Sequence, residues 1–360
     1  MENLQRAVFI LLLLFLGFAG LYYAREFLIP VALAGILSML FIRLSDYLEN
    51  KGLNRGWSAL ICILLLIIIV AGAFTFLSFQ LSNLADNMAG MKKRLLEMAD
   101  QVQGWIQQTF NVSYKKQAEM LKDQSKSQGG GGIGTFAGSF MGILVNSVLV
   151  TVYIFLFLYA RSHLRQFILK LFPAGQKAKT EKVIGQSVEV ARKYLTGLSA
   201  MIVMLWIMYG IGFTIVGVEY AIFFAILCGL LEIIPFIGNL TGTFITVLAV
   251  LVQGGDSNML LGVIITYLMV QFIQTYILEP LVVGEQVSIN PLFTIMVIVA
   301  GELVWGIAGM VLAIPLLGIV KIICDNVPSL QPYGFLMGSE KKEKKPDLIS
   351  RFKEKFLKSK

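Results

Sequence analysis

The sequence predicts an all-α integral membrane protein of about eight hydrophobic segments, two of them broken helix hairpins, with a long extracytoplasmic amphipathic helix besides. Three observations carry this. Of 360 residues 57% are apolar and 14% charged, with a mean hydropathy of +0.76, outside the make-up of soluble domains. Several apolar runs approach or exceed the roughly 18 residues that a spanning helix needs. Between Lys193 and Lys321 there is no Lys, Arg or His, yet six carboxylates remain: Glu219, Glu232, Asp256, Glu279, Glu285 and Glu302.

The runs Ala7 to Tyr23, Phe27 to Ile42 and Ala59 to Phe79 make residues 1–79 a unit of three transmembrane helices. The first run follows Arg6 in the manner of a signal peptide, but a second run follows at once, and the two read as paired, retained spans.

Residues 80–135 form an extracytoplasmic unit. Leu81, Leu84, Met88, Met91, Leu95, Met98, Val102 and Trp105 alternate by three and four, the seam of a coiled coil. Leu84, Met88, Met91, Leu95, Met98 and Val102 are therefore expected at a subunit contact, the other reading being a surface helix against its own subunit. A glycine linker, Gly129 to Gly132, follows.

Residues 136–325 form the core. Phe136 to Tyr159 and Leu198 to Val216 read as spans, and Gly134, Gly138 and Gly142 permit close helix approach at the start of the first. Ala174 to Tyr194, with Lys177, Lys179, Lys182, Arg192 and Lys193, is amphipathic and basic and suits the inner membrane face. Next come two hairpins, residues 219–255 and 291–323, with the span Leu260 to Leu278 between them. The first is broken by Pro235 and Gly238, the second by Gly301 and Gly306. Half of either segment reaches only about 24 Å against a hydrocarbon core of about 30 Å. Each is re-entrant or a tilted short pair, and interrupted segments of this kind point to a binding site at membrane depth. Residues 326–360 form a basic cytoplasmic tail.

Basic residues orient the spans. The Arg43–Trp57 loop carries Arg43, Lys51 and Arg55, Arg161 to Lys193 carries eight basic residues, and the sequence from Lys321 onward carries ten. With both termini cytoplasmic, all three segments fall inside and residues 80–134 outside. The seven Lys and Arg of that outer stretch count against the orientation, although long loops translocate largely regardless of charge.

Cys62, Cys228 and Cys324 are scattered through apolar sequence, and the single histidine, His163, lies beyond a span. Neither a disulfide framework nor a metal-ligand spacing results, and no cofactor is expected beyond a coupling H⁺ or Na⁺. There is no His-Glu-x-x-His, Gly-x-Ser-x-Gly or phosphate-binding Gly-Lys-Ser/Thr motif, so enzymatic and ATP-driven readings find no support. The basic residues adjoin spans instead of forming a folded face, which speaks for membrane lipid and against nucleic acid as the partner of the net charge of +8.

The acids are unequal. Glu219, Asp256 and Glu285 fall in turns, where water accounts for them. Glu232, Glu279 and Glu302 lie in apolar sequence beside a Pro or Gly. A buried charge without a partner costs many kcal/mol, so such an acid holds a proton, binds a cation or faces a watery cavity, and intramembrane acids default to a transport pathway. Around them Pro235, Gly238, Asn239 and Thr241 mark the first break, while Gln271, Gln274, Glu279 and Pro280 follow one helix, Glu279 being about a third of a turn off the face of the two glutamines. The competing reading of the polar side chains at the break is that they only satisfy broken backbone.

The blocks EIIPFIGNLTG from Glu232 to Gly242, ILEPLVVGEQVSINPL from Ile277 to Leu292 and GELVWGIAGMVLAIPLLGIVK from Gly301 to Lys321, preceded by Leu195-Thr196-Gly197, resemble the autoinducer-2 exporter family of bacterial permeases. The resemblance covers nearly the whole chain. It implies a multi-pass inner-membrane transporter, homo-oligomeric and in pentamers, exporting autoinducer-2 in some members and exchanging sodium or lithium for protons in others. Asn239 stands where that family often has a second proline. Three functions follow as expectations: a secondary transporter or exporter of a small solute coupled through the carboxylates; a sodium(lithium)/proton antiporter with no organic substrate; or a non-transporting membrane scaffold.

Overall fold

The computed structural model describes residues 2–86, 133–235, 237–283 and 289–339. Of the predicted oligomer seam, Met88, Met91, Leu95, Met98 and Val102 lie outside the described residues, as does Glu285. Leu84 falls on a helix that continues directly from the third span.

The described residues form ten α-helices: α1 Glu2–Tyr23, α2 Arg25–Asn50, α3 Arg55–Asp86, α4 Ile133–Lys170, α5 Lys177–Val216, α6 Ala221–Leu231, α7 Ile237–Gln253, α8 Ser257–Ile273, α9 Pro291–Asn326 and α10 Gln331–Met337. Six segments among the described residues are long and apolar enough to cross a membrane, while α1 offers a shorter apolar stretch and α6 and α7 are too short alone. Large apolar side chains face outward along the helices, among them Phe15, Ile68, Ile215 and Leu268, as a lipid-facing surface requires.

Local chemistry sets the helix limits. Gly217, with φ +82°, closes α5, its N–H bonding Thr214 O and that of Val218 bonding Phe213 O, a Schellman closure that needs a left-handed residue. Asp256 caps α8 by accepting from Met259 N at 2.9 Å, and Asn290 caps α9 by accepting from Leu292 N at 3.0 Å, with Pro291 as the first helical residue. Asp256, a turn acid that solvation alone would explain, is thus a helix cap, as is Asn290.

The basic segment before Tyr194 is not a separate helix. It is the first half of α5, whose 40 residues run unbroken for about 60 Å. This helix is the hub: it touches α2, α4, α6, α8 and α9. One core packs Leu205, Tyr209 and Phe213 of α5 against Phe224, Val250 and Val263. Another joins α2, α3 and α4 through Ala34, Ala59, Cys62 and Ile154, and a third joins α2, α5 and α9 through Ile36, Ala191 and Leu312.

The three basic segments meet at one end of the bundle. Arg161 pairs with Asp46 at 2.6 Å and Glu49 at 2.8 Å, Arg43 with Glu189 at 3.6 Å, and Asn326 reaches Gln186 at 3.3 Å. Arg165 also pairs with Glu181. The Arg161 side chain is only 17% exposed, and its loss leaves the half-buried Glu49 with only the longer Arg55 pair, at 3.7 Å, as charged partner. Arg161→Ala is expected to lower stability by about 1–3 kcal/mol, with Arg161→Lys recovering part of the loss because the charge survives and the fork does not. Thermal unfolding in detergent reads both.

Candidate functional site

The first hairpin consists of α6 and α7 joined by the break after Leu231. Inside the break the backbone bonds to itself: Ile233 N to Leu230 O, Ile234 N to Leu231 O at 2.9 Å, and Gly238 N to Ile234 O at 3.0 Å. Gly238 and Gly242, one turn apart on α7, let the two arms touch. A Cβ on Gly238 would strike the Leu231 carbonyl, and one on Gly242 would lie 3.0 Å from Cys228 Cα. Gly238 is therefore helical and serves packing, not the break itself.

Because the broken backbone supplies its own partners, its polar side chains are free to reach elsewhere. Glu232 Oε1 accepts from Gln274 Nε2 at 2.5 Å. Asn239 Nδ2 donates to Gln271 Oε1, its Oδ1 accepts from Tyr209 O–H at 3.0 Å, and Gln271 Nε2 continues to Thr275 Oγ1 at 3.2 Å. Gln271 and Gln274, one turn apart on α8 and its continuation, thus grip the two residues that flank the hairpin break. Asn239 is 6% exposed and Gln274 2%. The Gln274 Oε1 atom, wholly buried, has no hydrogen-bond partner among the described residues.

From Gln274 to Val283 the helix is wound as a π-helix. Within it Leu278, about one turn beyond Gln274, shares the buried face, while Glu279 lies off it, as the sequence spacing expects. Glu279 is exposed, within electrostatic reach of Glu232 and of the buried Tyr194. Pro280 follows in the same π segment. Pro235 lies in the break, and Thr241 donates to Ile237 O at 2.7 Å, an ordinary bond to the preceding turn.

The second hairpin is α9, whose two arms meet at Gly306 (φ 60°, ψ −140°), a conformation open to glycine. Gly301 is not a second break. It is helical and faces Gly309 on the returning arm, where a Cβ would lie 2.5 Å from Gly309 O. Glu302 is exposed on the first arm, one turn before the break, and stands apart from the Glu232 network. The hairpins touch where Ile234, in the first break, packs on Ile298, Met310 and Ala313. The tip of the second is tied to α1 by Trp305 Nε1 donating to Leu21 O at 3.0 Å.

The structure therefore gathers Glu232, Asn239, Gln271 and Gln274 into one network, with Glu279 nearby and Glu302 elsewhere. Tyr209 and Thr275 join the network without having been marked by any sequence pattern. The available signal for Tyr209 was a phenol inside an otherwise apolar span, since a buried Tyr O–H needs a partner. No salt bridge reaches Glu232 among the described residues, and no group of three or more His, Cys, Asp or Glu there could hold a metal.

Residues 9–329 match the family described as AI-2E family transporter. The chain is 25% identical to the "Putative transport protein YueF" of Bacillus subtilis, over 90% of this chain and 92% of that one. It is 24% identical to the "Putative permease PerM" of Escherichia coli K12, over 90% and 94%. A "Putative transport protein" of Borreliella burgdorferi is 32% identical over 54% of this chain and 55% of its own.

Proposed function

The chain belongs to the AI-2E transporter family, and from that premise we propose that it is a secondary transporter whose coupling group is Glu232. The observation that carries this is the Glu232–Gln274 pair: a carboxyl in hydrocarbon sequence bonded to a neutral amide whose oxygen is buried and unpartnered. An amide suits an acid that changes state. Its N–H donates to the carboxylate, and after the amide turns over, its oxygen accepts from the protonated acid. A basic partner would instead hold the acid ionised.

In this reading protonation, or exchange of a proton for a cation or solute, alters the bond between the first hairpin and the α8 continuation. Asn239 and Gln271 form the second tie that must adjust. The solute is a small polar molecule such as autoinducer-2, exported across the bacterial inner membrane. The gathering of basic segments at one end supports a cytoplasmic position for that end and for both termini, and a homo-oligomer, a pentamer by family resemblance, completes the reading. The antiporter alternative uses the same carboxylate with sodium or lithium alone.

Proteoliposome flux tests this. Transport of labelled autoinducer-2 or of sodium is expected to drop more than about tenfold when proton and sodium gradients are collapsed, an energetic difference of about 1.4 kcal/mol. Flux of the furanone that persists unchanged would leave facilitated export, and no flux of any solute would leave the scaffold. Gln274→Leu, which keeps bulk but removes both amide functions, is expected to slow coupled flux about tenfold by stripping Glu232 of its partner.

A further inference from the structure

Away from the Glu232 network, a concavity lies at the charged end of the bundle. It is a cavity of about 680 Å³ between α2, the end of α4, the start of α5 and the end of α9, within the size range of small-molecule and lipid sites. Its walls are apolar: Met39, Ile168, Phe172, Ile184, Ile319 and Ile323. Phe172, Ile168 and Ile323 remain 37–41% exposed at its mouth, which would be unfavourable in open water and is ordinary at the boundary between headgroups and acyl chains.

The polar rim carries one charged group, Lys179, with Gln176, Thr180 and Asn326. Along the same first turns of α5 stand Lys177 and Lys182, while two acids adjacent in sequence to lining residues, Glu181 and Asp325, are engaged by Arg165 and Lys321. The rim therefore has a positive excess. The tail from residue 340 onward is itself dense in Lys and is repelled by such a rim, so charge favours a different occupant.

We propose that this cavity binds an anionic phospholipid, one acyl chain lying among Phe172, Ile184 and Ile323 and the phosphate drawn to Lys179. The site is independent of Glu232 and of the transport reading. Apolar walls account for an acyl chain of any lipid, and Lys179 with its basic neighbours accounts for selection of the anionic headgroup.

The test uses the full chain with Phe172→p-benzoylphenylalanine, a conservative aromatic photoprobe at the mouth, reconstituted in vesicles of equimolar phosphatidylglycerol and phosphatidylcholine. After illumination, mass spectrometry is expected to find phosphatidylglycerol adducts in about fivefold excess over phosphatidylcholine, with Lys179→Gln bringing the ratio close to one. Adding Ile184→Trp, which fills the cavity, should lower both adducts together, and thermal unfolding checks that this variant is folded. A ratio near one with Lys179 present, a ratio unmoved by Lys179→Gln, or adducts joining Phe172's position to residues 340–360 or to a second copy of the chain would overturn the proposal.

Discussion

Replacing Glu232 with glutamine is expected to abolish coupled transport while leaving the protein folded. The amide is isosteric with the acid and can still meet Gln274, whose buried Nε2 now donates to Glu232 at 2.5 Å. What disappears is the exchangeable proton and the charge. A hydrogen bond to a charged group contributes about 1.5–3 kcal/mol, so flux that depends on cycling this bond should drop about 10- to 100-fold, and the residual flux should no longer respond to an imposed pH gradient. Glu302→Gln, on an exposed residue outside the network, should leave the gradient response intact. Proteoliposome flux with the three proteins side by side checks this, and an unchanged gradient response in Glu232→Gln would remove Glu232 as the coupling group.

Adding a single methyl at Gly309 is expected to have the largest effect on stability. Its Cβ would meet the Gly301 backbone on the facing arm, and a Cβ on Gly238 would likewise strike the Leu231 carbonyl. In both places the obstacle is backbone, which cannot rotate aside as a side chain can. Overpacking ordinarily costs about 1–3 kcal/mol. Here each hairpin must open along its length, so Gly309→Ala and Gly238→Ala should reach or exceed the upper figure. Gly17→Ala and Gly72→Ala are the controls, since nothing lies within 4 Å of a Cβ at either position. Fluorescence-detected size exclusion after a heating series should show early loss of the monodisperse peak for the first pair only. If Gly309→Ala matched the controls, the tight crossing of the α9 arms would be wrong.

The two expectations concern the same architecture. The glycine crossings make each hairpin a stiff unit, while the first hairpin's polar ties to the α8 continuation are amide and carboxyl bonds. Ile234 bears on the second hairpin close to Glu232. In the proposed reading, a change at the carboxyl therefore has a packed contact through which to bias the second hairpin.

Much of this was legible in the chain itself. Hydropathy located the spans because a bilayer imposes length and apolarity on every crossing helix. The absence of bases between Lys193 and Lys321 isolated the acids, and the helix breakers at Pro235 and Gly306 located the two turns. The roles of particular glycines were not legible. Gly238 and Gly301 read as breakers, yet both are helical and serve close packing, because breaking and packing ask for the same missing Cβ. Periodicity sets Glu279 off the face of the two glutamines and it is exposed there, whereas the π winding that begins at Gln274 is a hydrogen-bonding choice that no local pattern announces.

The sequence by itself determined a polytopic all-α protein of this family, its broken hairpins and the acids without basic partners, since composition and spacing are one-dimensional properties that the membrane reads directly. Only the tertiary structure decided which polar residues meet. Asn239 with Tyr209 and Gln271, and Glu232 with Gln274, are 30, 32 and 42 residues apart in the chain, and their contact depends on how the arms cross and how α8 lies across the break. That geometry is set by packing between helices, and it separates Glu232, held inside a network, from Glu302, which the same sequence logic had ranked beside it.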